Sequence, residues 1–201
     1  MPLLGFADVL PREPRRVIVG GTSGSGKSTL ARAVAARLGL PYQEVDSLYH
    51  GPGWTVRPGF PVELRAFTAQ PRWVLEWQGL REHLAAVADT LVWLDYPTWL
   101  VMYRVVKRTL RRAATRQELW AGNVEPPLWT FFSDPEHIVR WAWRTRHRVR
   151  DDVARLLTAG THLQVVRLRW PHETEAWLER LGDERRPWRL GPGPQTPPYA
   201  E

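Results

Sequence analysis

Cysteine is absent from the 201 residues, which excludes a disulfide framework and any thiolate metal site and makes a cytoplasmic location the expectation. Lysine is nearly absent. Lys27 and Lys107 are the only two, so the net charge of +7 is carried by arginine, whose planar fork suits phosphate and carboxylate. No apolar run approaches the ~20 residues that cross a bilayer, so no membrane partner is expected. Met1 to Arg16 carries Asp8 and Glu13 among prolines and lacks the basic start and long apolar block of a secretory signal. The histidines His50, His83, His137, His147, His162 and His172 show no metal-ligand spacing. There is no internal repeat, and no helix-turn-helix, zinc-finger or RNA-binding signature.

What is present is a globular composition, 43% hydrophobic, sized for one buried core and at most two domains. Periodicity predicts strands at Arg16–Val19, Tyr42–Val45, Trp73–Trp77, Leu91–Leu94 and Leu163–Leu168. Helices are predicted at Ser28–Leu38, Phe60–Ala69, Arg81–Ala88, Trp99–Arg112, Pro135–Leu157 and Pro171–Leu181. In the Trp99–Arg112 helix, Leu100, Tyr103, Val106 and Leu110 form the apolar stripe, with Arg104, Lys107, Arg108 and Arg111 on the basic side. Strands alternating with helices imply an α/β fold, a parallel sheet with helices on both faces. The expected organisation is an extension at 1–14, one domain at 15–182, and a disordered Pro/Gly-rich tail at 183–201.

Between the first strand and first helix stands Gly21-Thr22-Ser23-Gly24-Ser25-Gly26-Lys27-Ser28, followed by Thr29. It satisfies G-x-x-x-x-G-K-S/T in full, in the strand–loop–helix setting that separates a phosphate loop from a Gly/Ser linker. The glycines let successive amides point inward as an anion nest, and the helix N-terminus adds unpaired N–H groups. Lys27, which such loops expose, reaches the β- and γ-phosphates; the Ser28 hydroxyl is placed to ligate Mg²⁺. The expected ligand is ATP with Mg²⁺. Gly20, Asp46, Glu76 and Asp95 fall at or near strand C-termini, the edge where such sheets bind ligands.

The order GGTSGSGKSTLA, VDSLYHGPGW, WVLEWQ, ADTLVWLDYP, an arginine-rich helix and WAGNVEPP resembles a family of small P-loop kinase-like proteins over residues 15 to 180. Its members are known variously as adenylate kinase-related proteins, AAA-family ATPases or DNA topology modulation proteins. The resemblance implies a three-layer P-loop NTPase fold with five parallel strands in the order 2-3-1-4-5 and an Arg-rich lid at about 112–135. The D-G-x-P-R element of true adenylate kinases is replaced here by Glu76-Trp77-Gln78-Gly79.

In similar small-molecule kinases an acidic residue closing the second strand faces the acceptor. Here that residue is Asp46, with a capping role as the alternative. Glu76 and Asp95 both flank the first strand in the implied order and compete to hold Mg²⁺; Glu76 is favoured, and Asp95 is otherwise a cap for the next helix. The loop Tyr49–Trp54, with Trp77 and Gln78, would wall the acceptor pocket. Arginines of the helix after the fourth strand, chiefly Arg108 and Arg111, would close over the triphosphate and act catalytically. The reading is an ATP-dependent phosphotransferase acting on a nucleotide or other small hydroxyl compound. The alternatives are a nucleotide-binding regulator or DNA-associated ATPase and a polynucleotide 5′-end kinase. Nucleic acid is therefore possible but not favoured, and the subunit number stays open.

Overall fold

The computed structural model describes residues 3–77, 82–115, 118–123, 130 and 137–182. Six strands form one parallel sheet: β1 (Leu3–Leu4), β2 (Arg16–Gly21), β3 (Tyr42–Gln43), β4 (Trp73–Trp77), β5 (Thr90–Leu94) and β6 (Gln164–Leu168). Their order across the sheet is β1-β6-β5-β2-β4-β3. The five expected strands hold the expected order, and β1 is an addition. It pairs Leu3 with Val165 and Leu4 with Val166 at the edge beside β6. Two residues are too short to carry a periodic signal; the burial of Leu4 and Leu10 against the sheet places them.

The central strand shows why the sheet is three-layered. Val17 and Val19 point into one hydrophobic cluster and Ile18 into the other, and all three are buried. On the first face lie α1 (Lys27–Leu38), α5 (Thr98–Thr115), α6 (Ile138–Arg144) and α8 (Pro171–Gly182), through residues such as Val34, Val105, Ala142 and Trp177. On the second lie α3 (Phe60–Thr68), α4 (Glu82–Val87) and α7 (Arg148–Thr158), through Phe60, Leu84 and Val153. A five-residue helix, α2 (Val45–Tyr49), follows β3.

Three expectations are corrected. The second strand ends at Gln43, not Val45, because side chains start a helix there. Ser47 Oγ donates to the Glu44 carbonyl at 2.7 Å and accepts from Gln43 Nε2 at 3.0 Å. The single helix expected over 135–157 is two, α6 and α7, with a turn at Thr145–His147. Ala142 packs on one face of the sheet and Val149 on the other, which one straight helix cannot do. Its first residues, Pro135 and Glu136, lie outside the described residues, as do the tail at 183–201 and most of the lid segment.

The apolar stripe of α5 is the third. Val101, Val105 and Thr109 are its buried line, whereas Tyr103, Val106 and Leu110 are exposed and Leu100 is only partly buried. The cause is a close approach. Gly24 has φ +83, and a Cβ there would lie 2.4 Å from Val105 Cγ2, so only a line of small and β-branched residues fits against the phosphate loop. Turning that line inward carries Arg104, Arg108 and Arg112, each one turn apart, toward the loop.

Candidate active site

The phosphate loop leaves β2 at Gly21 and enters α1 through Gly26, whose φ of +95 is open only to a residue without Cβ. Ser23 and Ser25 are buried, and Ser25 Oγ has no hydrogen-bond partner, a buried polar atom held without compensation inside the loop. Lys27 is 7% exposed, a correction to the expectation that the loop presents it openly. Burial lowers its pKa, opposed by the charges of Glu76 and Asp46. Ser23, Gly24, Gly26, Lys27, Ser28 and Thr29 border a cleft of about 850 Å³. Gly21 is buried behind it, and Thr22 borders a separate small recess beside Asp95.

Glu76, at the end of β4, is fully buried next to the loop. Its carboxylate accepts from Ser28 Oγ at 2.5 Å and from the Tyr42 hydroxyl at 2.9 Å. Burial raises its pKa, and Lys27 pulls the other way. The same burial, with the neighbouring Glu76 charge, raises the Tyr42 phenol. Ser28 and Glu76 thus form a compact set of hard oxygen donors, which suits Mg²⁺.

Asp95 is placed differently. Its two carboxylate oxygens are taken by Arg150 of α7 at 2.7 Å and by Arg167 of β6, so it is a structural anchor between α7 and the sheet. Asp95 is therefore corrected from metal ligand to ion-pair centre: sequence shows the strand end, but the two arginines come from distant elements. Asp95→Asn is expected to lower stability by about 2 kcal/mol through weakened charge-assisted bonds, with nucleotide affinity unchanged. Thermal melting with and without MgATP checks both halves.

Asp46 lies in the first turn of α2 and borders the main cleft. The N-cap residue of α2 is Glu44, whose side chain makes no capping bond. Glu44 instead faces Arg32 at 3.6 Å. Over the loop, Arg104 Nη1 donates to the Ser25 carbonyl and Arg108 Nη2 to Ser23 Oγ, both at 3.3 Å. Arg112 borders the same cleft; Arg111 is exposed and does not. The expectation of Arg111 is corrected by helix geometry: from Arg108, the i+4 position stays on the cleft line and the i+3 position falls on the other side of it. Trp77 is likewise corrected. It is 4% exposed in the core beneath the sheet, while Gln78 and Gly79 lie outside the described residues.

His50 and Trp54, of the loop expected to wall the acceptor pocket, do border the cleft. Sequence reasoning passed over Trp120, Asn123, His137 and Trp141 as site residues. All but Asn123 border the cleft, and Asn123 holds Trp54 and Trp120 from behind. The only signal for Trp120 and Asn123 was their membership in WAGNVEPP; His137 and Trp141 had none.

No family profile matches the chain. A bifunctional pantoate ligase/cytidylate kinase from Synechococcus sp. (strain JA-2-3B'a(2-13)) is 32% identical over 90 residues, 42% of this chain and 16% of that protein. A protein of the same description from Synechococcus sp. (strain CC9902) is 41% identical over 54 residues, 27% of this chain and 11% of that protein. The chain therefore spans less than a fifth of the length of these relatives. Among solved structures, a shikimate kinase from Acinetobacter baumannii in complex with shikimate superposes with a TM-score of 0.52 at 16% identity, covering 85% of this chain and 92% of that one. A gluconokinase from Sinorhizobium meliloti 1021 gives 0.50 at 20% identity, over 85% and 95%. At these identities the likeness is one of fold.

Proposed function

We propose that this chain, which has the fold of the P-loop kinases, transfers the γ-phosphate of ATP to a hydroxyl group of a small acceptor. One observation carries the reading. A single cleft of about 850 Å³ joins the phosphate loop to Asp46, with the arginines of α5 along it. It has room for a nucleotide's phosphates and a second small molecule side by side.

In this reading the loop amides and Lys27 hold the β- and γ-phosphates. Ser28 and Glu76 would hold Mg²⁺, which when bound supplies charge neutralisation on the triphosphate. Asp46 orients the acceptor hydroxyl and takes its proton as the oxygen attacks the γ-phosphorus. The new P–O bond forms, the bond to the β-phosphate bridging oxygen breaks, and ADP leaves. Arg104, Arg108 and Arg112 stabilise charge on the phosphoryl group in flight. Their inward aim at Ser23 and Ser25 favours this over an outward basic stripe for nucleic acid. The absence of cysteine and the use of ATP fit a cytoplasmic setting.

The test is purified protein with Mg²⁺ and γ-labelled ATP against nucleosides, nucleotides, sugars and small hydroxy acids. Transfer of label to one compound class is the expected result; failure to bind ATP at all sinks the reading. Two variants sharpen it. Glu76→Gln is expected to raise the Mg²⁺ concentration for half-maximal turnover about tenfold, as for a residue holding the metal through water. Arg108→Gln should slow the single-turnover rate about tenfold, because Arg104 and Arg112 share the charge, with a much smaller change in ATP affinity. Arg111→Gln should leave both unchanged. Equal effects at 108 and 111 would contradict the facing of α5.

A further inference from the structure

Part of the cleft is walled by stacked rings. His50 stacks on Trp120 with centroids 5.7 Å apart and planes 24° from parallel, and Trp54 meets His50 edge-on at 5.2 Å. Trp54 belongs to the turn Pro52–Trp54 after α2, and Trp120 to the turn Trp120–Gly122 beyond α5. Asn123, 6% exposed, ties the two turns together. Its Nδ2 donates to the Gly51 carbonyl at 2.9 Å and the Trp120 carbonyl at 2.8 Å, while its Oδ1 accepts the Trp54 N–H at 3.2 Å. Both turns carry left-handed backbone. Trp54 (φ 60) and Ala121 (φ 57) are the two non-glycine residues with positive φ among the described residues. Such conformations persist where the surroundings over-determine them, and they concentrate at ligand clamps.

Charge is distributed unevenly along the cleft. Arg104 and Arg108 point at the phosphate loop, Arg32 faces Glu44, and Arg112 borders the cleft one helical turn beyond Arg108. On the acceptor side, α2 sets Asp46 and His50 one turn apart on the same side, with the His50 N–H on the Asp46 carbonyl at 3.0 Å. A carboxylate followed by flat rings repels an anion and favours a neutral ring that can lie against them.

We infer that the Trp54–His50–Trp120 wall, fixed by Asn123, is a ring-binding platform, and that the acceptor is an uncharged ring-bearing hydroxyl compound, a nucleoside or a sugar. It would lie against the platform with one hydroxyl directed to Asp46, and the products are ADP and its phosphomonoester. Asn123 is a positioning residue: it acts through the two tryptophans. This inference rests on the phosphotransfer reading of the same cleft.

The test is calorimetric titration of the full chain, loaded with MgADP, with adenosine, cytidine, glucose and myo-inositol, each beside its monophosphate. At least one uncharged compound is expected to bind about tenfold or more tightly than its monophosphate, and which one separates nucleoside from sugar. Trp120→Ala and Asn123→Ala should each weaken that binding about tenfold with MgADP affinity kept. Either variant suffices should the other not fold. Tighter binding of a monophosphate, which would assign Arg112 to an acceptor phosphate, overturns the inference. So does binding of none of the uncharged compounds, or wild-type affinity in both variants. Failure to bind MgADP or MgATP is a different outcome, which removes the phosphotransfer reading itself.

Discussion

Lys27→Met is expected to weaken MgATP binding by on the order of a hundredfold and to reduce phosphoryl transfer below detection. In the proposed reading the ammonium meets the β- and γ-phosphates directly, and Lys27 is itself buried, where a charge-assisted contact is worth most. Methionine keeps the stem volume, so the fold is retained. The variant also alters the neighbour. Lys27 pulls the Glu76 pKa down against the larger effect of burial, so without it the Glu76 pKa rises further. A carboxyl group with a raised folded pKa contributes stability below its unfolded pKa, and that contribution is lost as pH rises through the folded one. The apo variant is therefore expected to lose stability relative to wild type as pH rises through the Glu76 titration. Calorimetry with ATP and melting across pH measure the two effects separately. Wild-type ATP affinity in Lys27→Met would remove the phosphate-loop reading.

Asp46→Asn is expected to lower turnover by a hundredfold or more, within the range for a lost general base, while MgATP affinity changes little. The amide keeps the shape of the side chain and can still orient a hydroxyl, but it cannot take the proton. The measurement is single-turnover transfer to the acceptor found in the label screen, alongside ATP calorimetry. Asp46 also contributes to the charge felt by Lys27, so a small change in nucleotide affinity is built into the expectation. Turnover equal to wild type would leave Asp46 as a wall residue and move the proton acceptor elsewhere.

The phosphate loop was legible because its chemistry is local. Contiguous residues between a strand and a helix supply the nest, the lysine and the hydroxyl, and no distant part of the chain is needed to place them. The five central strands were legible because buried parallel strands read as short apolar runs, while their order was implied by the resemblance to small P-loop kinase-like proteins and holds in the sheet. The edge strand Leu3–Leu4 was not, since only its pairing with β6 makes it a strand.

The site residues that depend on two elements meeting were decided by tertiary structure. Glu76 and Asp95 end neighbouring strands beside β2 and look equivalent in sequence. What separates them is that Ser28 and Tyr42 reach Glu76, whereas Arg150 and Arg167 reach Asp95. The facing of α5 was decided in the same way. Hydropathy favoured the larger side chains Tyr103, Val106 and Leu110 as its buried line. The approach of the helix to Gly24 admits only the narrower line Val101–Val105–Thr109, and that rotation brings Arg112 to the cleft and leaves Arg111 in solvent. Sequence by itself determined the local phosphate chemistry and the alternation of the central strands with helices. Packing at close range decided which acidic group and which arginines share the cleft with it, because a rotation of part of a helical turn changes a side chain's neighbours without changing its sequence spacing.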